Sequence, residues 1–316
     1  SDGKGGGPIG AARYKEIANP SGFVNTDGLT IGELVGEKIV LVDFMTYSCI
    51  NCQRTFPYLN AWYKKYKDQG LEIIGIHTPE FAFEKDINNV RKAMIDFGIM
   101  YPVVLDNDYA TWNAYGNRYW PRKYLIDING NIVYDHIGEG GYEETEKKIQ
   151  GALRERASVL GEEDRVIKEV ETPPGVVAVD SSRVGSPEVY FGAFRNELLA
   201  NGQKGTISRQ TFKAPEKIEL NQLYLVGDWE IDDEYAKNIS PKAKIIFRYI
   251  AKNVYMVASS EKENRVQISK GGQVLKTLNV KEDTLYSLIE NFDYGEHTIE
   301  IEISDPGLMA FTFTFG

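Results

Sequence analysis

The sequence predicts an α/β domain followed by an all-β antiparallel sandwich, and three observations carry that prediction. In the first half, apolar β-branched runs alternate with helical periodicity and end in a hairpin signal, which implies a mixed sheet with helices packed on it. Composition changes near residue 158, where Gly161-Glu162-Glu163-Asp164 and Pro173-Pro174-Gly175 read as a linker. Beyond residue 185 the helical periodicity mostly stops. Short β-rich runs follow, bounded by turn signals such as Lys270-Gly271-Gly272 and Asp293-Tyr294-Gly295. The expected units are residues 14–157 and 185–316, joined by a linker at 158–184.

The elements of the first unit follow in order. Lys38 to Phe44 is apolar and β-branched enough for a central strand. Gln53 to Gln69 reads as a helix, with Phe56, Leu59, Tyr63 and Tyr66 on one face. Leu71 to His77 is a second buried strand. Asp86 caps a helix to Phe97 that Gly98 closes. Pro102 to Asp106 is a short strand and Asn107 to Tyr115 a helix. Asn129-Gly130 joins Lys123–Asp127 to Asn131–Asp135 as a hairpin, and Glu143 to Ala157 is a closing helix. In the second unit, strands are expected at 222–226, 244–250, 253–258, 265–269, 273–279, 297–303 and 309–315.

Composition excludes several functions. The net charge of −10, with no basic cluster, argues against nucleic acid. No run of 18 apolar residues exists to form a membrane-spanning helix. The start, Ser1 to Gly7, is polar and glycine-rich, so no signal peptide is expected there. Two cysteines in one motif leave no structural disulfide framework, so cysteine usage does not set the compartment.

Those two cysteines, Cys49 and Cys52 in Cys49-Ile50-Asn51-Cys52, decide the chemistry. They stand at the start of a helix after a buried strand, as a reversible dithiol/disulfide pair. A helix N-terminus favours a thiolate, so Cys49 is the expected attacking sulfur and Cys52, one turn in, the resolving one. A zinc site would need two further ligands, and His77, His136 and His297 lack ligand spacing, so no metal is expected. A structural disulfide would close too short a loop to gain much chain entropy.

With Val42-Asp43-Phe44, Pro57 inside the helix, Trp120-Pro121 before a strand and Gly138-Glu139-Gly140 after the hairpin, the first half resembles a thioredoxin-fold protein. The strand–helix–strand insertion from 76 to 115 resembles the TlpA and ResA type. Thr46 to Arg54, with His77-Thr78-Pro79-Glu80-Phe81, resembles a narrower group, the soluble C-terminal region of DipZ-like proteins of cytochrome c biogenesis. Ser186 to Gly192, Gly227-Asp228-Trp229 and the ending Phe311 to Gly316 fit the same group, whose β-sandwich resembles a carbohydrate-binding module. Met45 departs from the tryptophan that thioredoxins often carry beside the site, and the membrane-embedded half of DipZ is not in this chain.

The resemblance implies an extracytoplasmic thiol–disulfide oxidoreductase, in the periplasm or cell envelope and membrane-tethered in the full-length protein. It would act on protein disulfides as a reductase, with a membrane thiol-electron carrier of the CcdA/DsbD kind as donor. The redox-active disulfide would serve without a further cofactor. Direction is set by redox poise, so oxidase or isomerase action uses the same residues. The resemblance also implies a cis bond before Pro121. Asp43 is read as a proton acceptor for Cys52, or as an ordinary strand-end carboxylate. Glu80 is read as tuning the thiols or shuttling a proton, or as a solvated loop carboxylate. Tyr47 and Trp120 are a candidate substrate platform, or ordinary packing. In the sandwich, Trp229, Tyr190 and Tyr235 are candidate glycan-stacking rings, against a core reading. Asp228, Asp232 and Asp233 look like a calcium cluster, against the reading of an ordinary Asp-rich turn, and no metal is assigned there. The competing reading is a binding protein whose sandwich anchors it to a glycan or protein partner. A peroxidase is disfavoured, because the residues before Cys49 lack a Pro-x-x-x-Thr-x-x-Cys motif.

Overall fold

The computed structural model describes residues 12–170, 172–290 and 293–316; the glycine-rich start lies outside the described residues. The chain divides into two units, the first ending at Val177 and the second running from Ala178 to Gly316.

The first unit is built on a six-stranded sheet. Its strands are β1 (Gly22–Val24), β2 (Ile39–Met45), β3 (Leu71–His77), β4 (Val103–Leu105), β5 (Arg122–Ile126) and β6 (Ile132–Ile137). They lie in the order β1-β4-β3-β2-β5-β6. β2, β3 and β4 run parallel, whereas β5 lies antiparallel to β2. Every residue of β2 is buried, because both faces of the sheet are covered. Ile39, Leu41 and Met45 face α1 (Ile50–Tyr66), packing with Phe56, Leu59 and Trp62. Val40, Val42 and Phe44 face the opposite layer with Trp112 and Tyr124. The two-residue period therefore puts Asp43 on the α1 face, between Leu41 and Met45.

Three more helices complete the unit: α2 (Ile87–Asp96), α3 (Ala110–Ala114) and α4 (Tyr142–Leu160). The Asp86 side chain accepts from the Asn88 N–H at the start of α2. α4 outruns the expected end at Ala157 by three residues and stops at Gly161, φ 68°. Beyond it, Val166 packs against the α1-side core. Gln150 Nε2 donates to the Ile167 carbonyl at 2.9 Å, and Lys65 Nζ to that of Glu169 at 2.6 Å. The stretch just past α4 thus packs on the first unit, with the Ile167 and Glu169 carbonyls finding donors on α4 and α1.

The named strands of the second unit all pair antiparallel. Its strands are β7 (Val189–Tyr190), β8 (Ser208–Phe212), β9 (Leu223–Ile231), β10 (Ala236–Asn238), β11 (Ala243–Ile250), β12 (Val254–Ser260), β13 (Asn264–Lys270), β14 (Gln273–Val280), β15 (Thr284–Ile289), β16 (Glu296–Ile303) and β17 (Leu308–Phe315). The path β14-β13-β16-β11-β9-β10-β17-β12-β15 folds over on itself at β9. Residues 223–226 of β9 pair with β11, and Trp229–Ile231 pair with β10. Between them Gly227 sits at φ 97°, a corner at which one strand passes from one layer to the other. Inward residues of both layers, among them Leu225, Phe247, Met256, Ile301 and Phe313, share one core. β7, β8, β10 and β15 were not among the expected strands.

Candidate active site

The N-terminus of α1 carries the dithiol. Cys49 is the N-cap, with extended backbone, and its sulfur accepts from the Cys52 N–H at 3.4 Å. It is half-buried, whereas Cys52 is fully buried. Burial, the hydrogen bond and charge of Cys49, and the charge of Asp43 together push the Cys52 thiol well above its ordinary range. One sulfur is therefore reachable and the other is held protonated inside. The Cys49 thiol lies 4.0 Å from the Trp120 carbonyl, and the Trp120–Pro121 bond is cis.

Beneath Cys52 lies a pair of buried opposite charges. Asp43 and Lys123 are direct partners in the antiparallel β2–β5 register. They are 0% and 1% exposed, and neither the Asp43 oxygens nor Lys123 Nζ has a hydrogen-bond partner. Cross-strand neighbours stand about 5 Å apart at Cβ, so the two side chains share one space. Burial raises Asp43 to about 7, against the pull of Lys123, and lowers Lys123 against the pull of Asp43. Desolvation outweighs mutual attraction for both. Tyr101, also buried, is pushed well up by burial and by the charges of Asp43 and Cys52. Glu139, which pairs with Arg54 at 3.3 Å, contributes to the field at Lys123.

A second polar cluster lies under the turn that precedes Cys49. His77 Nε2 accepts the Tyr47 N–H at 3.2 Å. Burial drives His77 down to about 3, so its ring is neutral. Glu84 lies within the 3-10 turn Ala82–Lys85 and is fully buried. Its Oε2 accepts from Thr46 Oγ1 and from the Ser48 N–H at 3.4 Å. Its Oε1 accepts from the N–H groups of Glu80 and Phe81 at 3.2 and 3.0 Å. Burial raises Glu84 to about 7, opposed by the Thr46 hydrogen bond.

These positions revise several expectations. The deeply buried carboxylate after β3 is Glu84; Glu80 is half-buried and offers it a backbone N–H. Tyr47 is 3% exposed and stacked on His77 with centroids 5.8 Å apart, so it packs inside and forms no open platform. Trp120 is half-buried, packed against Trp112 at 4.3 Å, with its indole N–H on the Thr78 carbonyl. Trp229 is 0% exposed and donates to the Val226 carbonyl at 3.0 Å, so it anchors the β9 corner and offers no face to a sugar. Tyr190 is half-buried, its ring covered by Arg195 at 3.6 Å, and Tyr235 leans on Phe311 at 5.4 Å. Asp228 and Asp232 accept from Thr211 and Tyr235 hydroxyls.

Lys123 and Glu84 escaped the sequence reading. Lys123 had a signal, a cation at the same parity as Leu125 just before the apolar run Tyr124-Leu125-Ile126. Glu84 had none, because a glutamate in a turn after a strand is ordinarily solvated.

A dithiol at a helix N-terminus, beside a cis proline on a mixed sheet of this order, defines a thiol–disulfide oxidoreductase. Residues 24–174 match the Redoxin family and residues 186–316 match the family described as thioredoxin like C-terminal domain. The chain is 35% identical over 306 residues to Protein DipZ of Mycobacterium tuberculosis (strain CDC 1551 / Oshkosh), covering 95% of this chain and 42% of that protein. It is 33% identical over 144 residues to thiol-disulfide oxidoreductase ResA of Bacillus thuringiensis (strain Al Hakam), covering 44% of this chain and 76% of that protein. The solution structure of a thioredoxin-like protein in the oxidized form aligns with a TM-score of 0.43 at 27% identity, over 46% of this chain and 97% of that one. The chain belongs to the redoxin family of thiol–disulfide oxidoreductases and is a DipZ homologue spanning about two-fifths of its DipZ relatives' length.

Proposed function

We propose that the chain reduces protein disulfides outside the cytoplasm, with Cys49 as nucleophile and Cys52 as resolving thiol. The observation that carries this reading is the contrast in burial between two sulfurs one helical turn apart. The Cys49 thiolate attacks a substrate disulfide, forming a mixed disulfide and releasing one substrate thiolate. Cys52 then gives its proton to Asp43 and attacks Cys49 Sγ, releasing the second substrate thiolate. The substrate gains two electrons, and the Cys49–Cys52 pair loses them. Trp120, whose carbonyl faces Cys49, lines the approach, and Glu80 stands at the edge of the cluster that supports it. A membrane thiol-electron carrier would return the pair to the dithiol. No helix of the described residues is long and apolar enough to cross a membrane, so that carrier would be a separate part or partner.

Insulin reduction tests the activity and trapping tests the roles. Cys52→Ser should accumulate mixed disulfides and Cys49→Ser should form none. A redox titration against glutathione tests direction. A potential near or below about −220 mV supports a reductase, and one near about −120 mV supports an oxidase.

A further inference from the structure

The turn 46–48, which leads from β2 into α1, is buried throughout: Thr46 is 0%, Tyr47 3% and Ser48 2% exposed. Its backbone polar groups must therefore be satisfied from inside. The Tyr47 N–H goes to His77, the Ser48 N–H to Glu84, and the Cys49 N–H to the Thr46 carbonyl at 3.3 Å. Thr46 Oγ1 donates to the same Glu84 oxygen as Ser48. The other Glu84 oxygen is occupied by the Glu80 and Phe81 N–H groups, so the carboxylate cannot turn away. Its two oxygens face four donors, an arrangement that the ionised form of the carboxyl satisfies and an amide cannot.

We propose that Glu84 is a positioning residue for the dithiol: through Thr46 and Ser48 its buried carboxylate holds the turn that presents Cys49 at the start of α1. The Cys49 sulfur meets the Cys52 N–H at 3.4 Å and the Trp120 carbonyl at 4.0 Å, and both relations depend on where that turn sets it. Residue 84 lies 38 positions from Thr46, so the segment after β3 governs the geometry of a motif it does not adjoin. The inference rests on Cys49 being the nucleophile.

The test uses the full chain carrying Glu84→Gln, Thr46→Val or Thr46→Ser, each first shown folded by circular dichroism. Two quantities are read: the alkylation rate of Cys49 at pH 7, located by peptide mapping, and the dithiol/disulfide equilibrium with glutathione. Glutamine turns an NH2 toward N–H and O–H donors, so Glu84→Gln should slow alkylation about tenfold, as small misplacements of reacting groups do. It should also move the equilibrium several-fold toward the disulfide, because the reduced sulfur loses its aligned N–H donor. Thr46→Val should act in the same sense, and Thr46→Ser, which keeps the hydroxyl, should stay within twofold of the parent. A folded Glu84→Gln within twofold of the parent on both readings overturns the proposal. If Glu84→Gln does not fold, the valine and serine pair at 46 decides by the same criteria. Alkylation of Cys52 before Cys49 in the parent overturns the nucleophile assignment and the positioning role with it.

Discussion

Asp43 shows how one buried residue ties redox chemistry to pH. Its carboxyl titrates near 7 because burial disfavours the anion more than Lys123 restores it. Removing the cation should raise it further. Lys123→Met should therefore move the pH profile of mixed-disulfide release to higher pH, by about one unit or more, while leaving the initial attack by Cys49 little changed; stopped-flow release measured from pH 5 to 9 checks this. Stability carries the same signature. A carboxyl whose folded value lies above its unfolded value stabilises the protein below pH 4, and that contribution is lost as pH rises toward about 7. His77 works the other way: its folded value, about 3, lies below the unfolded 6.5, so its contribution is lost as pH falls through that window. The His77 slope is shared by parent and variant. Urea unfolding should thus show Asp43→Asn gaining on the parent between pH 5 and pH 8, by on the order of 1–3 kcal/mol. Equal pH slopes would remove Asp43 from this account.

At the scale of elements, the decisive pieces are the α1 N-terminus and the β9 corner. The central strand and the cysteine helix were legible because strong apolar periodicity survives any packing. The corner was not, since nothing local says that a nine-residue strand serves two layers. Gly227 takes φ 97°, and a Cβ there would stand 2.8 Å from Ser240 Oγ and 3.3 Å from the Ala243 Cβ. Gly227→Ala should cost about 1–3 kcal/mol, seen as a lowered midpoint for the second unit with insulin reduction unchanged. β7 and β10, of two and three residues, lie below the length at which alternation is readable, and they exist because β17 and β9 offer edges to pair with.

For the whole molecule, the division at Val177 predicts two pieces that fold separately. The piece ending at 177 should keep insulin reduction, and 178–316 should have none. A piece ending at Ala157 should melt several degrees lower than one ending at 177. It lacks the last turn of α4, the packing of Val166 and the bonds from Lys65 and Gln150. With Trp229 in the core, the second unit has no sugar platform built on that ring.

The sequence by itself determined the dithiol, the α/β-then-β order and the place of Asp43 near the end of the strand that leads to the cysteines. Those follow from local spacing and period, which need no knowledge of the rest of the chain. Only the tertiary structure decided that Lys123 faces Asp43, that Glu84 rather than Glu80 is buried under the Cys49 turn, and that Tyr47 and Trp229 are internal. Burial and cross-strand register depend on residues some 30 to 80 positions apart, and whether a charge or ring meets water or protein is settled only when those segments meet.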